Sequence, residues 1–287
     1  MPTVLEILDK STKFLDEKGI ESPRLNADLL MAHVLSCKRL DLYMMFDRPL
    51  KEPELESYRE CIRRRIKYEP LQYIVGNVEF FGLKLEVDSS VLIPRQETEL
   101  LVDIIIQENK DRSGLKILDI GTGSGNIAIS LAKMLPEAEV TSIDVSEASI
   151  ETAKKNATLN SANNITFKVS DVIDFFNYQD GNDSGQFDLI ISNPPYVSNS
   201  DYLKVQEEIL KYEPSIAVTD FADGYKFHSE IISNSLTNLK QNGKVYLEMA
   251  LGQDETLSEM MVSAGYSCIE VFRDHNKIKR FIRGIKA

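Results

Sequence analysis

Lys116-Ile-Leu-Asp-Ile-Gly121-Thr-Gly-Ser-Gly125 is a short apolar run that ends in three glycines at alternate positions. The run has the length and branched content of a buried strand. The glycines permit a tight turn and let backbone N–H groups approach a ligand closely. Strand 116–120, this turn and a helix over 126–134 make the first unit of an alternating pattern. Outward from it the pattern continues as strand 139–145, helix 146–160, strand 165–169 and strand 187–192. Helices over 201–210 and 224–239, strand 244–249 and helix 254–264 follow. Strands alternating with helices predict a parallel, doubly wound sheet, an α/β fold. Two last strands, 267–272 and 279–284, have no helix between them and predict an antiparallel hairpin at one edge. With these the sheet has seven strands. Asp180-Gly-Asn-Asp-Ser-Gly185 reads as a polar loop.

The chain before residue 75 has a different character. Thr3 and Glu6 have capping-box spacing, with Val4, Leu5, Leu8 and Phe14 as apolar positions, and Gly19 closes that helix. Ser22-Pro23 reads as an N-cap followed by proline at the first helical position. Leu25, Leu29, Leu30, His33 and Val34 are expected to form the apolar stripe of the second helix. A short helix over 40–46 and a longer one over 53–68 complete a helical module. Residues 1–75 contain 13 basic and 13 acidic side chains, so the formal charge of −12 resides in 76–287. That shift marks a domain boundary near 75. The expected domains are helical 1–75, a hairpin linker 76–93 and an α/β domain 94–287. Within the linker, Glu79-Phe-Phe-Gly-Leu-Lys-Leu-Glu-Val-Asp88 alternates like a hairpin, with Gly82 near the bend. The basic run from Arg59 to Lys67 reads as a solvated helix face, or as a docking patch for an acidic or RNA-associated partner.

Composition narrows the function classes. A pI near 4.9 argues against extensive phosphate-driven nucleic-acid binding. Cys37, Cys61 and Cys268 are far apart and show no CxxC spacing, so neither a disulfide framework nor a zinc site is expected. His33, His228 and His275 are scattered, and no metal is expected. The start of the chain is acidic and amphipathic, unlike a signal peptide, and no apolar run approaches a membrane span. A cytoplasmic monomer without membrane contact is expected.

The chemistry gathers at strand ends. Gly121, Gly123 and Gly125 do not fit the dinucleotide pattern G-x-G-x-x-G, because Asn126 stands where its last glycine belongs. The spacing suits a ligand without phosphate, an amino-acid moiety held by the backbone of Gly121, Thr122, Gly123, Ser124 and Gly125. Asp119 stands where it could meet an ammonium. Asp144 ends the second strand, where an acid accepts from both ribose hydroxyls; its bland alternative is an N-cap, a role Ser146 can fill. Asp171 ends the third strand, placed to meet an adenine amino group, with Val172 to pack on the ring; a loop acid beside a loop valine is the alternative. The fourth strand delivers Asn193-Pro-Pro-Tyr196 to the same edge. Pro194 and Pro195 fix φ and donate nothing, so the chain leaves the sheet stiffly with unpaired carbonyls. Such a rim receives a planar NH2 group, unless it is only a proline-rich exit turn. An adenosine-type cofactor beside it points to methyl transfer from S-adenosylmethionine to a planar nitrogen. Arg95, Glu97 and Glu99 open a helix and either decorate its first turn or line the mouth of the site.

Gly121-Thr-Gly-Ser-Gly125 with Asn193-Pro-Pro-Tyr196 resembles the amino-methyltransferases that act on glutamine, adenine or guanine nitrogens. Further pieces resemble one branch, the release-factor glutamine methyltransferases of the HemK/PrmC type. They are Pro70-Leu-Gln-Tyr-Ile-Val-Gly76, Glu79-Phe-Phe-Gly82, Leu92-Ile-Pro-Arg95 with Glu97-Thr-Glu99, Tyr212-Glu-Pro214, Asp223-Gly224 and Arg273-Asp274. Gln96 departs from the family's usual proline, and Asn276-Lys-Ile-Lys-Arg280 from a more apolar stretch. The resemblance implies a Rossmann-like, seven-stranded S-adenosylmethionine methyltransferase sheet behind a helical substrate-docking domain. It implies methylation of the glutamine in the Gly-Gly-Gln loop of peptide chain release factors, with those factors as partners and no direct nucleic-acid binding. Asn193, Pro194 and Tyr196 are then the expected catalytic residues. Pro195 joins them in binding substrate, and Asn193 also borders the cofactor. A ribosomal-protein glutamine methyltransferase, a nucleic-acid amino-methyltransferase and a non-catalytic adenosine-binding module remain as alternatives.

Overall fold

A computed structural model describes residues 1–177 and 186–287; the loop expected over 180–185 lies outside them. The chain forms two compact units, residues 1–77 with 206–212, and residues 78–205 with 213–287.

The first unit holds α1 (Val4–Glu17), α2 (Pro23–Val34), a 3-10 turn (Arg39–Met44), α3 (Glu52–Arg65) and α4 (Leu71–Val75). Thr3 and Glu6 form the expected capping box. Ser22 does not cap α2: its φ is 50° and its side chain makes no cap hydrogen bond, so Pro23 alone sets the start. The buried face of α2 is also rotated from the expected stripe. Asn26, Ala27, Asp28, Leu30 and Met31 are buried, whereas Leu25 and His33 are exposed. Two polar residues can lie inside because each has partners. Asp28 accepts from Arg24 at 2.9 Å and Arg39 at 3.2 Å, and Asn26 accepts from Arg65 Nε at 2.7 Å. In the basic run, Arg59 and Arg63 lie on the surface among Glu52, Glu56 and Glu60, and Arg64 pairs with Glu69. The exposed pairs of Arg59 and Arg63 are screened by solvent and contribute little to stability. Arg65 is different: it is buried and donates to Glu208 at 2.5 Å.

The second unit, from Val78, opens with the hairpin β1 (Asn77–Phe80) and β2 (Leu83–Glu86), the first residue of β1 closing the first unit, and continues with α5 (Gln96–Asn109). The wound sheet follows as β3 (Lys116–Ile120), α6 (Asn126–Met134), β4 (Glu139–Asp144), α7 (Glu147–Leu159), β5 (Ile165–Val169), α8 (Val172–Asn177) and β6 (Phe187–Ser192). Three short helices come next: α9 (Asn199–Tyr202), α10 (Glu207–Tyr212) and α11 (Ser215–Val218). The chain ends with α12 (Lys226–Asn238), β7 (Leu239–Glu248), α13 (Asp254–Ala264), β8 (Tyr266–Arg273) and β9 (Lys279–Lys286). The single helix expected over 201–210 is thus split. α10 clusters with the first unit, where Glu208 meets Arg65 and Tyr212 donates to the Lys67 carbonyl at 3.0 Å.

The sheet order is β5-β4-β3-β6-β7-β9-β8. β3 to β7 are parallel, and β9 runs antiparallel to both β7 and β8. Both faces are covered, so successive strand residues feed two cores. Ile117, Leu189, Ile191, Tyr246 and Phe281 face one, with Leu101, Val102 and Ile105 of α5. Leu118, Ile190, Val245, Leu247 and Ile282 face the other, with Ile231 and Ile232 of α12. The chain winds outward from β3 through β4 to β5, then returns to β6 beside β3. That reversal makes a crevice at the carboxyl ends of β3 and β6, the place where open α/β sheets bind ligands.

Candidate active site

A cavity opens at that crevice. Its wall includes Gly121, Thr122, Gly123 and Ser124 after β3, Asp144 at the end of β4, Asp171 and Val172 after β5, and Asn193, Pro194 and Pro195 after β6. Four strand ends therefore bring nearly all of the sequence-predicted residues to one place. Gly125 and Tyr196 are not in the wall. Pro94, Arg95 and Thr98 at the start of α5 are, together with Lys226 and Phe227 of α12.

The glycine loop is shaped for a close guest. Gly121 and Gly123 have φ of +73° and +52°, and a Cβ on either would meet nothing within 4 Å, so the loop presents bare backbone. Gly125 serves packing instead. Its φ is +83°, and a Cβ there would lie 2.8 Å from Ile129 Cδ1 and 3.2 Å from Ala153 Cβ. Asn156, fully buried on α7, fixes the loop from behind. Its Nδ2 donates to the carbonyls of Ser124 and Glu86, both at 2.9 Å, and its Oδ1 accepts from Glu86 N at 2.7 Å. One amide thus ties the β1–β2 hairpin to the ligand loop.

Three buried polar atoms around this loop have no hydrogen-bond partner among the described residues: Thr122 Oγ1, Ser124 Oγ and Asp119 Oδ1. Unpaired buried polar groups are costly; Thr122 Oγ1 lies toward Asp119, and a polar ligand at the loop would satisfy the Ser124 hydroxyl in the cavity wall. Asp119 stands behind the cavity wall. Its Oδ2 accepts from Ser142 Oγ at 2.9 Å, and burial pushes its pKa up to about 6. The ordinary value is near 3.9, so between pH ~4 and ~6 the unfolded chain has lost this proton while the folded chain holds it. Stability from this group is complete below that window and is lost as pH rises through it. Asp119→Asn, which can still accept from Ser142, removes the effect. Urea unfolding should show the variant gaining on the parent by at most about 3 kcal/mol between pH ~4 and ~7. A stability difference that is constant with pH would refute this account.

Asp144 uses both oxygens on backbone. Oδ2 accepts from Gly123 N and Oδ1 from Ser146 N, each at 2.9 Å. Burial raises its pKa, and these bonds from Ser146 and Gly123 oppose the rise. The capping of α7 falls to Ser146, whose hydroxyl accepts from Ser149 N at 3.2 Å. Asp171 accepts from Ile173 N at 2.8 Å, in keeping with a loop acid at a helix start, while it also faces the cavity beside Val172.

The rim after β6 is braced from below. Asn193 Nδ2 donates to Thr98 Oγ1 at 3.4 Å. Among the described residues, nothing donates to Asn193 Oδ1 or to the Pro194 carbonyl. Tyr196 turns from the cavity, and its hydroxyl donates to Glu248 Oε1 at 3.1 Å. Its phenol is committed to a buried carboxylate and does not line the cavity. Burial, joined by the charge of Glu248, raises the Tyr196 pKa. Glu248 is 2% exposed and also accepts from Thr98 Oγ1 at 2.7 Å. Burial raises its pKa against these two hydroxyl donors. His228, buried and held neutral by desolvation, donates through Nε2 to the Glu248 carbonyl at 2.8 Å. Gly224 packs against the rim: its φ is +91°, and a Cβ would come 2.7 Å from the Tyr196 carbonyl. At the mouth, Arg95 donates to the buried Glu213 at 2.6 Å, and Glu213 accepts from Ile93 N at 3.1 Å. Glu99 accepts from Phe81 N at 3.1 Å and so anchors the hairpin. Among the described residues no cluster of three or more His, Cys, Asp or Glu could hold a metal ion, and no helix is long and apolar enough to cross a membrane.

The seven-stranded Rossmann-like sheet with its switch-point cavity, together with a match to the methyltransferase domain family over residues 111–277, makes this a methyltransferase with a methyl donor of the S-adenosylmethionine type. The chain also matches the PrmC N-terminal domain family over residues 6–76. A release factor glutamine methyltransferase of Rhodopirellula baltica is 37% identical over 281 residues, 95% of this chain and 92% of that protein. Its namesake from Chlorobaculum tepidum is 38% identical over 286 residues, 97% and 95% of the two chains. The crystal structure of a methyltransferase from Pyrococcus furiosus superposes with a TM-score of 0.50 at 23% identity, covering 72% of this chain and 90% of that one, which shows the shared fold. The chain belongs to the release factor glutamine methyltransferase family.

Proposed function

We propose that this protein transfers a methyl group from S-adenosylmethionine to the side-chain amide nitrogen of the glutamine in the Gly-Gly-Gln loop of peptide chain release factors. Family membership supports the substrate class. The observation that carries the chemistry is the pair of unclaimed acceptors, Asn193 Oδ1 and the Pro194 carbonyl, on a stiff rim beside the glycine loop. In this reading the backbone of residues 121–124 holds the amino-acid end of the cofactor, Asp144 its ribose, and Asp171 with Val172 its adenine. When bound, S-adenosylmethionine supplies an electrophilic methyl group.

The residues of the rim do the rest. An amide nitrogen is a poor nucleophile because its lone pair is delocalised. Asn193 Oδ1 and the Pro194 carbonyl accept its two N–H bonds, which fixes the nitrogen and stabilises positive charge as it grows there. The rim offers no strong base, and the surplus proton leaves to water. Tyr196 contributes by anchoring the rim to Glu248. The deciding experiment is incubation with labelled S-adenosylmethionine and purified release factors, ribosomal proteins and nucleic acids in parallel. Label on the release-factor glutamine is expected, and label confined to ribosomal protein or nucleic acid would overturn the reading.

A further inference from the structure

Thr98 and Glu248 lie one step behind the rim. Thr98 is fully buried in the first turn of α5, and Glu248 is the last residue of β7. A threonine hydroxyl has one proton to give. Here it goes to Glu248 Oε2 at 2.7 Å, and with Tyr196 donating to Oε1 at 3.1 Å both carboxylate oxygens act as acceptors. The Thr98 oxygen then has lone pairs alone to offer Asn193. Only the NH2 side of the Asn193 amide can face it, as the 3.4 Å contact from Nδ2 has it. Every bond in the chain therefore points its proton toward Glu248.

Without that direction the Asn193 amide has two orientations of nearly equal shape. One presents Oδ1 to the cavity and accepts from an NH2 group. The other presents NH2, which would confront the NH2 of a glutamine donor to donor and would suit a carboxylate instead. We propose that Thr98 and Glu248 are positioning residues that set the orientation of the Asn193 amide, and through it the preference for an amide guest. This rests on the proposed role of Asn193 as acceptor of the substrate N–H. The geometry also gives the first turn of α5 a task beyond helix-start chemistry: its threonine carries the polarity from β7 to the rim.

The test compares Thr98→Val, which keeps the shape and loses the hydroxyl, with Thr98→Ser, which keeps the hydroxyl. Purified release factor is the methyl acceptor. Thr98→Val should lower kcat by about 10- to 100-fold, the scale of one positioned hydrogen bond in a transition state. Calorimetric affinity for S-adenosylmethionine should stay near that of the parent, the melting temperature of Thr98→Val should fall because buried Glu248 loses a donor, and Thr98→Ser should recover both most of the turnover and the stability. In the cofactor-free protein labelled with [15N]asparagine, the side-chain NH2 protons of Asn193 should be protected from solvent exchange in the parent and Thr98→Ser, and exposed in Thr98→Val. Undiminished turnover or unchanged exchange in Thr98→Val would overturn the inference. So would a Thr98→Ser variant as impaired as Thr98→Val. A parent that labels no release-factor glutamine would instead remove the functional reading and this inference with it.

Discussion

Asn193→Ala should lower turnover by about 10²- to 10³-fold, the usual cost of removing one preorganised transition-state contact. Affinity for S-adenosylmethionine, measured calorimetrically, should stay within about threefold. The two expectations differ because the Asn193 oxygen meets a charge that grows only during transfer. An interaction absent from the ground state lowers kcat and kcat/KM together when it is lost. Asn193 lies just past the end of β6 and shares no ladder with β3 or β7, so alanine leaves the strand pairing intact. Its Nδ2 makes one long bond to Thr98, so little stability goes with it. Full activity in the variant would sink the role. A large loss of cofactor affinity with unchanged kcat at saturation would move Asn193 from the chemistry to the cofactor.

What the sequence makes legible here is local, and what it hides is long-range. Gly121, Gly123 and Gly125 can be read because strand, turn and helix follow within a few residues and each carries its own pattern. Asp144 and Asp171 can be read because each ends an apolar run. Thr98, Asn156 and Glu248 could not be found in this way. Each is one polar residue among several in its element, with nothing local to mark it as buried, and its partner is distant: Thr98 and Glu248 are separated by 150 positions, Asn156 and Glu86 by 70. The buried face of α2 is hidden in a similar way: besides the Glu21 and Ser22 carbonyls, Asn26 finds its partner in Arg65, 39 positions away. The break before α10 depends on Glu208 and Arg65, 143 positions apart. The edge hairpin itself is legible from the missing helix. That β9 lies next to β7 is set by burial, with Phe281 and Ile282 sealed into opposite cores while β8 keeps one side toward solvent. A resemblance carried by short scattered pieces finds its physical basis in the same contacts. Arg95 with Glu213, and Gly224 against Tyr196, join pieces that are far apart along the chain.

Asp144→Ala should weaken binding of S-adenosylmethionine by about 10²- to 10³-fold with little change in kcat at saturating cofactor. A carboxylate offers about four acceptor sites. In Asp144 two are taken, by Gly123 N and Ser146 N, which hold the carboxylate rigidly at the end of β4. The remaining pair is oriented before any ligand arrives, so no ordering cost falls on binding. Charge-assisted bonds contribute roughly 1.5–3 kcal/mol each, and losing two ribose contacts at the lower end of that range accounts for the expected drop. Asp144→Asn, with fewer acceptors and no charge, should fall between the parent and alanine. The same residue predicts a pH effect. Burial raises the Asp144 pKa, so the acceptor is lost by protonation as pH falls, beginning above the ordinary carboxylate range near 4. Cofactor affinity should therefore decline toward acid in the parent and lose that dependence in Asp144→Asn. Calorimetric titrations from pH ~5 to ~8 measure both. Unchanged affinity in Asp144→Ala would mean that the carboxylate serves only Gly123 and Ser146, and that the ribose is held elsewhere along the cavity wall.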